Sequence, residues 1–157
     1  MKTVLAALIL TSVLFTTVSF AQKNDEQALL AIHARDREAH LRGDANLLTA
    51  DTASEIVDVG RGHFDRTTRD QVREHFIGFF KQATYSSYED MAPPVVHIAP
   101  DGKSGWMAVQ IKAHITMKQE GKPPEEMDFQ SAWLATYEKQ NGKWLMTAIA
   151  YSVPAGK

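Results

Sequence analysis

The spacing of apolar residues changes character along this chain: a helical period dominates the first half, and a period of two takes over from Ala83. Asp25 to Arg42 carries Leu29, Ile32 and Ala39 at helical spacing and stops at Gly43, a residue suited to the position just past a helix end. Asp44 can cap a second, shorter helix through Leu47, Leu48 and Ala50. The segment Glu55-Ile56-Val57-Asp58-Val59 alternates and is rich in β-branched residues, which predicts the first strand, with Gly60 and Gly62 turning the chain after it. Thr67 or Thr68 then caps a third helix, with Val72, Phe76 and Phe79 on one face and Phe80 beside them.

Beyond Ala83 the pattern predicts long strands. Tyr85 to Ala99 reads as one extended stretch interrupted at Pro93-Pro94, which demands an edge position, a bulge or a bend. Met107, Val109, Ile111, Ala113, Ile115 and Met117 alternate without a break and give one apolar face. After a turn at Gly121-Lys122-Pro123-Pro124, a second strand presents Phe129, Ser131, Trp133, Ala135 and Tyr137 on one side. Asn141-Gly142 is a strong hairpin signal, and Lys143 to Val153 completes an antiparallel meander. Helices first and sheet second define the α+β class. The inward positions of the last strand are Thr147, Ile149 and Tyr151, while Trp106, Trp144 and Met146 face outward.

Ahead of these elements, Met1 and Lys2 precede an apolar run from Val4 to Phe15 and then Ser19-Phe20-Ala21. The run falls short of the ~20 residues a spanning helix needs, and small residues at the third position before and immediately before the cut suit signal peptidase. Residues 1–21 are therefore expected to be a signal peptide, with no membrane anchor after cleavage, and residues 22–157 to form a single domain. The net charge is −2 with acids and bases interspersed, so no basic surface suited to nucleic acid stands out. The chain has no cysteine, which excludes disulfides and lipid attachment at cysteine. An exported, cysteine-free chain points to a bacterial periplasmic or secreted protein.

Gly43-Asp44-Ala45 closing the first helix, the strand Glu55 to Val59 before a glycine turn, and Asn141-Gly142-Lys143-Trp144 before the last strand occur in an order that covers the whole chain after the leader. In this the chain resembles the SnoaL-like branch of the nuclear transport factor 2-like superfamily. The resemblance implies a curved antiparallel sheet wrapped around the helices into a cone, with a pocket between the sheet and the first helix. It also implies dimerisation through the outer sheet face, and relatives that include ketosteroid isomerases, polyketide cyclases and dehydratases. A fold of this kind predicts a cavity rather than a reaction.

On a helical count Asp36 falls between Leu29 and Ile32, on the side that faces the sheet. A carboxylate there needs a partner such as His33, His40 or Arg61, or else a raised pKa, because an unpaired buried charge is costly. Asp36 and His40 are the candidate catalytic residues, and by resemblance Asp36 stands where ketosteroid isomerases place a tyrosine donor. The base and acid positions of those enzymes fall at Gly60 and Trp133, which supply no carboxyl, although Asp58 lies two residues from the first. His33, Asp36 and His40 share a stripe, but the two histidines are ~10 Å apart along the helix axis, so they cannot close on one ion and no metal or other cofactor is expected.

The expected ligand-binding wall consists of Val109, Ile111, Ser131 and Trp133, together with Tyr137, Thr147 and Tyr151. Such a wall is mostly apolar, with a few hydroxyls and one indole to orient a small molecule. The first reading is a small-ligand binding domain. One alternative is a cyclase, dehydratase or isomerase using Asp36 in proton transfer; another is a dimeric structural module with a filled cone.

Overall fold

The computed structural model describes the backbone of residues 5–152 and the side chains of residues 21–152. Met1, Lys2 and Val153, and the side chains of the apolar leader, lie outside the described residues. The first helix, α1 (Leu5–Arg42), begins at Leu5 rather than at Asp25. It ends where Gly43 takes a φ of +65°, a left-handed value that costs glycine little. Asp44 then caps α2 (Ala45–Leu48), its carboxylate accepting the Leu47 amide at 3.0 Å.

The first strand, β1 (Thr52–Gly60), turns at Arg61 and Gly62 into β2 (His63–Thr68). The second of these is a strand that hydrophobic patterning misses, because of its six residues only Phe64 is apolar and the rest are polar at an exposed sheet edge. Thr68 caps α3 (Arg69–Gln82) through a capping box with Gln71. There follow β3 (Ala83–Asp90), β4 (Val95–Ile98), β5 (Ser104–Met117), β6 (Glu125–Gln140) and β7 (Lys143–Ser152). Both β3 and β4 pair with β5, one along each half, so Pro93-Pro94 marks a break in a single sheet edge.

The sheet runs β2-β1-β7-β6-β5-β3. Five of its contacts are antiparallel, but β1 lies parallel to β7, so the sheet is mixed rather than purely antiparallel. The alternating face of β5 is buried as its pattern predicts, through Met107, Val109, Ile111, Ala113 and Ile115. It packs with Leu29 of α1, Ala135 and Tyr137 in the core on the concave side.

The outward placement of Trp144 and Met146 does not hold. The register of β6 against β7 slips between Thr136 and Tyr137, pairing Tyr137 with Met146 but Thr136 with Ala148. Thr147 is the extra residue of this bulge, and it switches the phase of the strand. Trp144 is only 5% exposed, and its indole N–H donates to Asp25 at 2.9 Å. The same carboxylate pairs with Lys139 at 2.6 Å, and the Lys139 ammonium lies 5.0 Å from the Trp144 ring centre. Asp25 thus ties α1 to both β6 and β7.

Asp25→Ala leaves a buried indole N–H and a half-buried ammonium without their acceptor. Losses of this type amount to about 1–3 kcal/mol, which urea denaturation resolves as a lower midpoint. An unchanged midpoint removes the anchor from the account of the fold.

Candidate functional site

Between α1, α3 and the concave face of the sheet lies a cavity of about 510 Å³. Among the expected site residues, Asp36 and His40 line it from α1. Ile111 of β5, Ser131, Trp133 and Tyr137 of β6, and Tyr151 of β7 line it from the sheet. Val109 and Thr147 do not. Val109 is buried in the core with Leu29, and Thr147, turned out by the bulge, has its hydroxyl 3.1 Å from that of Thr136. Met146, expected outside, takes the inward place instead.

Asp36 is held on one side only. The Tyr88 hydroxyl donates to its Oδ2 at 3.2 Å, while the nearest ionisable partner of Oδ1 is His40 Nδ1 at 3.6 Å, beyond hydrogen-bond reach. That nitrogen instead donates to the Asp36 main-chain carbonyl at 2.9 Å, since a carbonyl can only accept. His40 stacks on Tyr88 with ring centres 4.6 Å apart and meets Tyr85 edge-on at 5.1 Å. Burial first, and then the charge of Asp36, push the Tyr85 phenol up to about 12 and hold Tyr88 and Tyr137 above the usual range too. These phenols keep their protons at neutral pH.

Tyr85 and Tyr88 are three residues apart, a spacing that strict alternation would place on opposite faces. The register of β3 against β5 slips between Tyr85 and Ser87, and the bulge brings both rings to the concave side. Neither tyrosine was legible as a site residue from the strand pattern. The same holds for two polar cross-links. His33, 5% exposed, places Nε2 at 2.7 Å from Asp90 Oδ1, leaving Nδ1 buried without a partner. Arg35 binds the Asp51 carboxylate through Nε at 2.8 Å and Nη2 at 2.6 Å, and Lys143 approaches its other oxygen at 3.3 Å.

At the β1–β2 hairpin the cavity meets Asp58, Arg61 and His75. Gly60 is needed there, because a Cβ at this position would come within 2.3 Å of the Tyr151 ring. Asp58 pairs in register with Asp65. Desolvation raises the Asp58 pKa, the facing Asp65 raises it further, and His63 and His75 offset part of the effect. Asp58, two residues from the position that the resemblance gives to a base, is a wall residue of the cavity.

No family model matches this chain, and no curated protein matches it. Solved structures do. A ketosteroid isomerase-like protein from Erwinia carotovora atroseptica superposes with a TM-score of 0.67 at 16% identity, over 84% of this chain and 98% of that one. A nuclear transport factor 2-like superfamily protein from Salmonella enterica gives a TM-score of 0.67 at 16% identity, over 86% and 94%. A protein from Exiguobacterium sibiricum, provisionally assigned as a calcium/calmodulin-dependent kinase II association domain, gives 0.65 at 11% identity, over 83% and 94%. The chain has the nuclear transport factor 2-like fold.

Because the folded state favours protonated Asp58, its contribution to stability is complete below the ordinary carboxylate range and is lost as pH rises through the raised folded value. Asp58→Asn is expected to raise Tm more at about pH 7 than at about pH 4. Scanning calorimetry at both values checks this, and a gain that shrinks toward neutrality contradicts the assignment.

Proposed function

We propose that this protein binds a small, partly apolar molecule in the cavity between α1 and the concave face of the sheet. The observation that carries this reading is the open volume itself: about 510 Å³ is left although Phe76, Phe79, Trp133 and four tyrosines crowd the same space. Ligand sites span ~300–1,000 Å³ and combine apolar walls with a few convergent polar groups, here Asp36, His40 and Ser131. The same volume argues against a filled cone. The protein meets its ligand outside the cytoplasm after removal of residues 1–21, a reading supported by the apolar run and Ser19-Phe20-Ala21. The cut falls inside α1 but leaves Asp25, whose carboxylate anchors the remaining helix to Trp144 and Lys139.

A second reading, proton transfer on the bound molecule, is favoured by the unequal carboxylates of the wall. Asp36 is steadied by Tyr88 with one oxygen left open, while Asp58 is shifted toward its protonated form. The neighbour described as ketosteroid isomerase-like is consistent with such chemistry on this fold.

The convex face supports self-association. Paired positions Phe64, Val59, Ala150, Leu134, Ala108 and Val95 form one apolar row across six strands. Three of them are far more exposed than apolar side chains in a closed surface need be: Phe64 at 67%, Val95 at 57% and Leu134 at 43%. A two-fold axis through the middle of the row sets Phe64 of one copy over Val95 of the other, which is the self-complementarity a symmetric dimer requires. This is the outer sheet face expected to dimerise, but the apolar row stands there in place of Trp144 and Met146, both of which are turned inward.

Native mass spectrometry of the protein from its host, followed by a fragment screen read by ligand-observed NMR, is expected to find small-molecule adducts. The same spectra report whether residues 1–21 are gone. Trp133→Ala should weaken binding by about tenfold; a screen without a single binder defeats the ligand reading. Light scattering should give a dimer at micromolar concentration, with Leu134→Glu monomeric at unchanged Tm. A monomeric wild type ends the dimer proposal.

A further inference from the structure

Resting on the reading of the cavity as a ligand site, we propose that its ligand is an organic amine, bound as the ammonium against Asp36 between aromatic faces. The hydrogen-bond balance of Asp36, His40 and Ser131 points this way, on a wall to which Tyr85, Tyr137 and Tyr151 also bring phenol protons. The Tyr88 hydroxyl proton is spent on Asp36 Oδ2, the His40 Nδ1 proton on the Asp36 carbonyl, and the Ser131 hydroxyl proton on the carbonyl of Ser152. What these groups still present is acceptor capacity: Oδ1 of Asp36, the lone pairs of Ser131 and, in the neutral ring, Nε2 of His40. A ligand that donates satisfies them, and a ligand that only accepts does not.

Charge narrows the class further. Of the two arginines that flank Asp36 on the helix, Arg35 is taken up by Asp51 in a two-bond pairing and Arg37 is exposed and does not line the cavity, while Arg61 lines it from the β1–β2 hairpin. The Asp36 side chain is 26% exposed and has no ion pair closer than the 3.6 Å approach of His40. An anionic ligand at this point would set like charges together, whereas an ammonium supplies the missing donor and counter-charge at once. The surroundings suit a cation on other grounds as well. Tyr85 and Tyr88 lie around His40, and Trp133 and Tyr137 line the same cavity, so an ammonium at Asp36 would sit among aromatic rings, the surroundings in which a desolvated cation is favoured.

The test uses three probes of nearly one shape and differing charge: 2-phenylethylamine, 2-phenylethanol and phenylacetate, titrated calorimetrically into the full chain. The amine is expected to bind at least about tenfold more tightly than the alcohol, with phenylacetate weakest. Asp36→Asn should reduce the amine to the affinity of the alcohol while leaving the alcohol within about twofold. Tightest binding of phenylacetate, or equal affinity for amine and alcohol, overturns the amine assignment while leaving the cavity reading intact, as does an amine preference that survives Asp36→Asn. If no probe binds and the fragment screen is also empty, the cavity reading falls with it. Should Asp36→Asn not fold, the wild-type ranking alone decides.

Discussion

Asp25, Leu29, His33, Asp36 and His40 fall within roughly 80 degrees of arc on α1, and the seating of that arc against the concave sheet is the constraint on which the rest of the structure depends. Leu29 supplies apolar contact, but the helix is positioned by polar groups that reach different strands. Asp25 bonds Trp144 and Lys139 on β7 and β6, while His33 and Asp36 reach Asp90 and Tyr88 on β3. Each such bond contributes only about 0.5–1.5 kcal/mol net, yet leaving any one partner buried and unmatched costs more than the bond contributes. The helix therefore has few alternative seats. Held at Asp25 and again at His33 and Asp36, it spans the curve of the sheet instead of collapsing into it, and the unfilled space between them is the cavity.

Two bulges then decide what faces that space. Without the slip at Thr136 and Tyr137, Thr147 would point inward and Met146 outward. Without the slip between Tyr85 and Ser87, only one of Tyr85 and Tyr88 would reach the concave side. The second bulge is the more consequential chemically, because Tyr88 is the hydroxyl that holds Asp36, and Tyr85 and Tyr88 together enclose His40. A bulge adds one residue to one strand and leaves no trace in hydrophobic periodicity beyond a short lapse of alternation.

The hairpin of β1 and β2 shows the same division between local pattern and spatial outcome. Asp58 reads as one polar residue in an alternating strand. Burial at the cavity wall makes it a carboxylate that resists ionisation, and pairing with β2, which sets Asp65 opposite it, adds to the effect. Two like charges in adjacent register are unfavourable for folding, and of the two Asp58 stands at the cavity wall while Asp65 is exposed.

Much of this protein was determined by the sequence alone. The helical arc that carries Asp36 and His40, the capping of α2 by Asp44 and of α3 by Thr68, the apolar face of β5 and the proline break between β3 and β4 are all local consequences of side-chain type and spacing, and they were legible as such. So was the α+β fold with a pocket. The tertiary structure decided the rest: the parallel pairing of β1 with β7, the polar strand β2, the inward turn of Trp144, Met146 and Tyr88, and the partners of His33, Arg35 and Asp36. The physical reason is that each of these depends on register between strands or on a partner far away in the chain. The partner of His33, Asp90, is 57 residues distant, and that of Asp36, Tyr88, is 52. Periodicity reports which face of an element is apolar, but a bulge or a distant carboxylate is chosen only when the whole sheet closes around the helix.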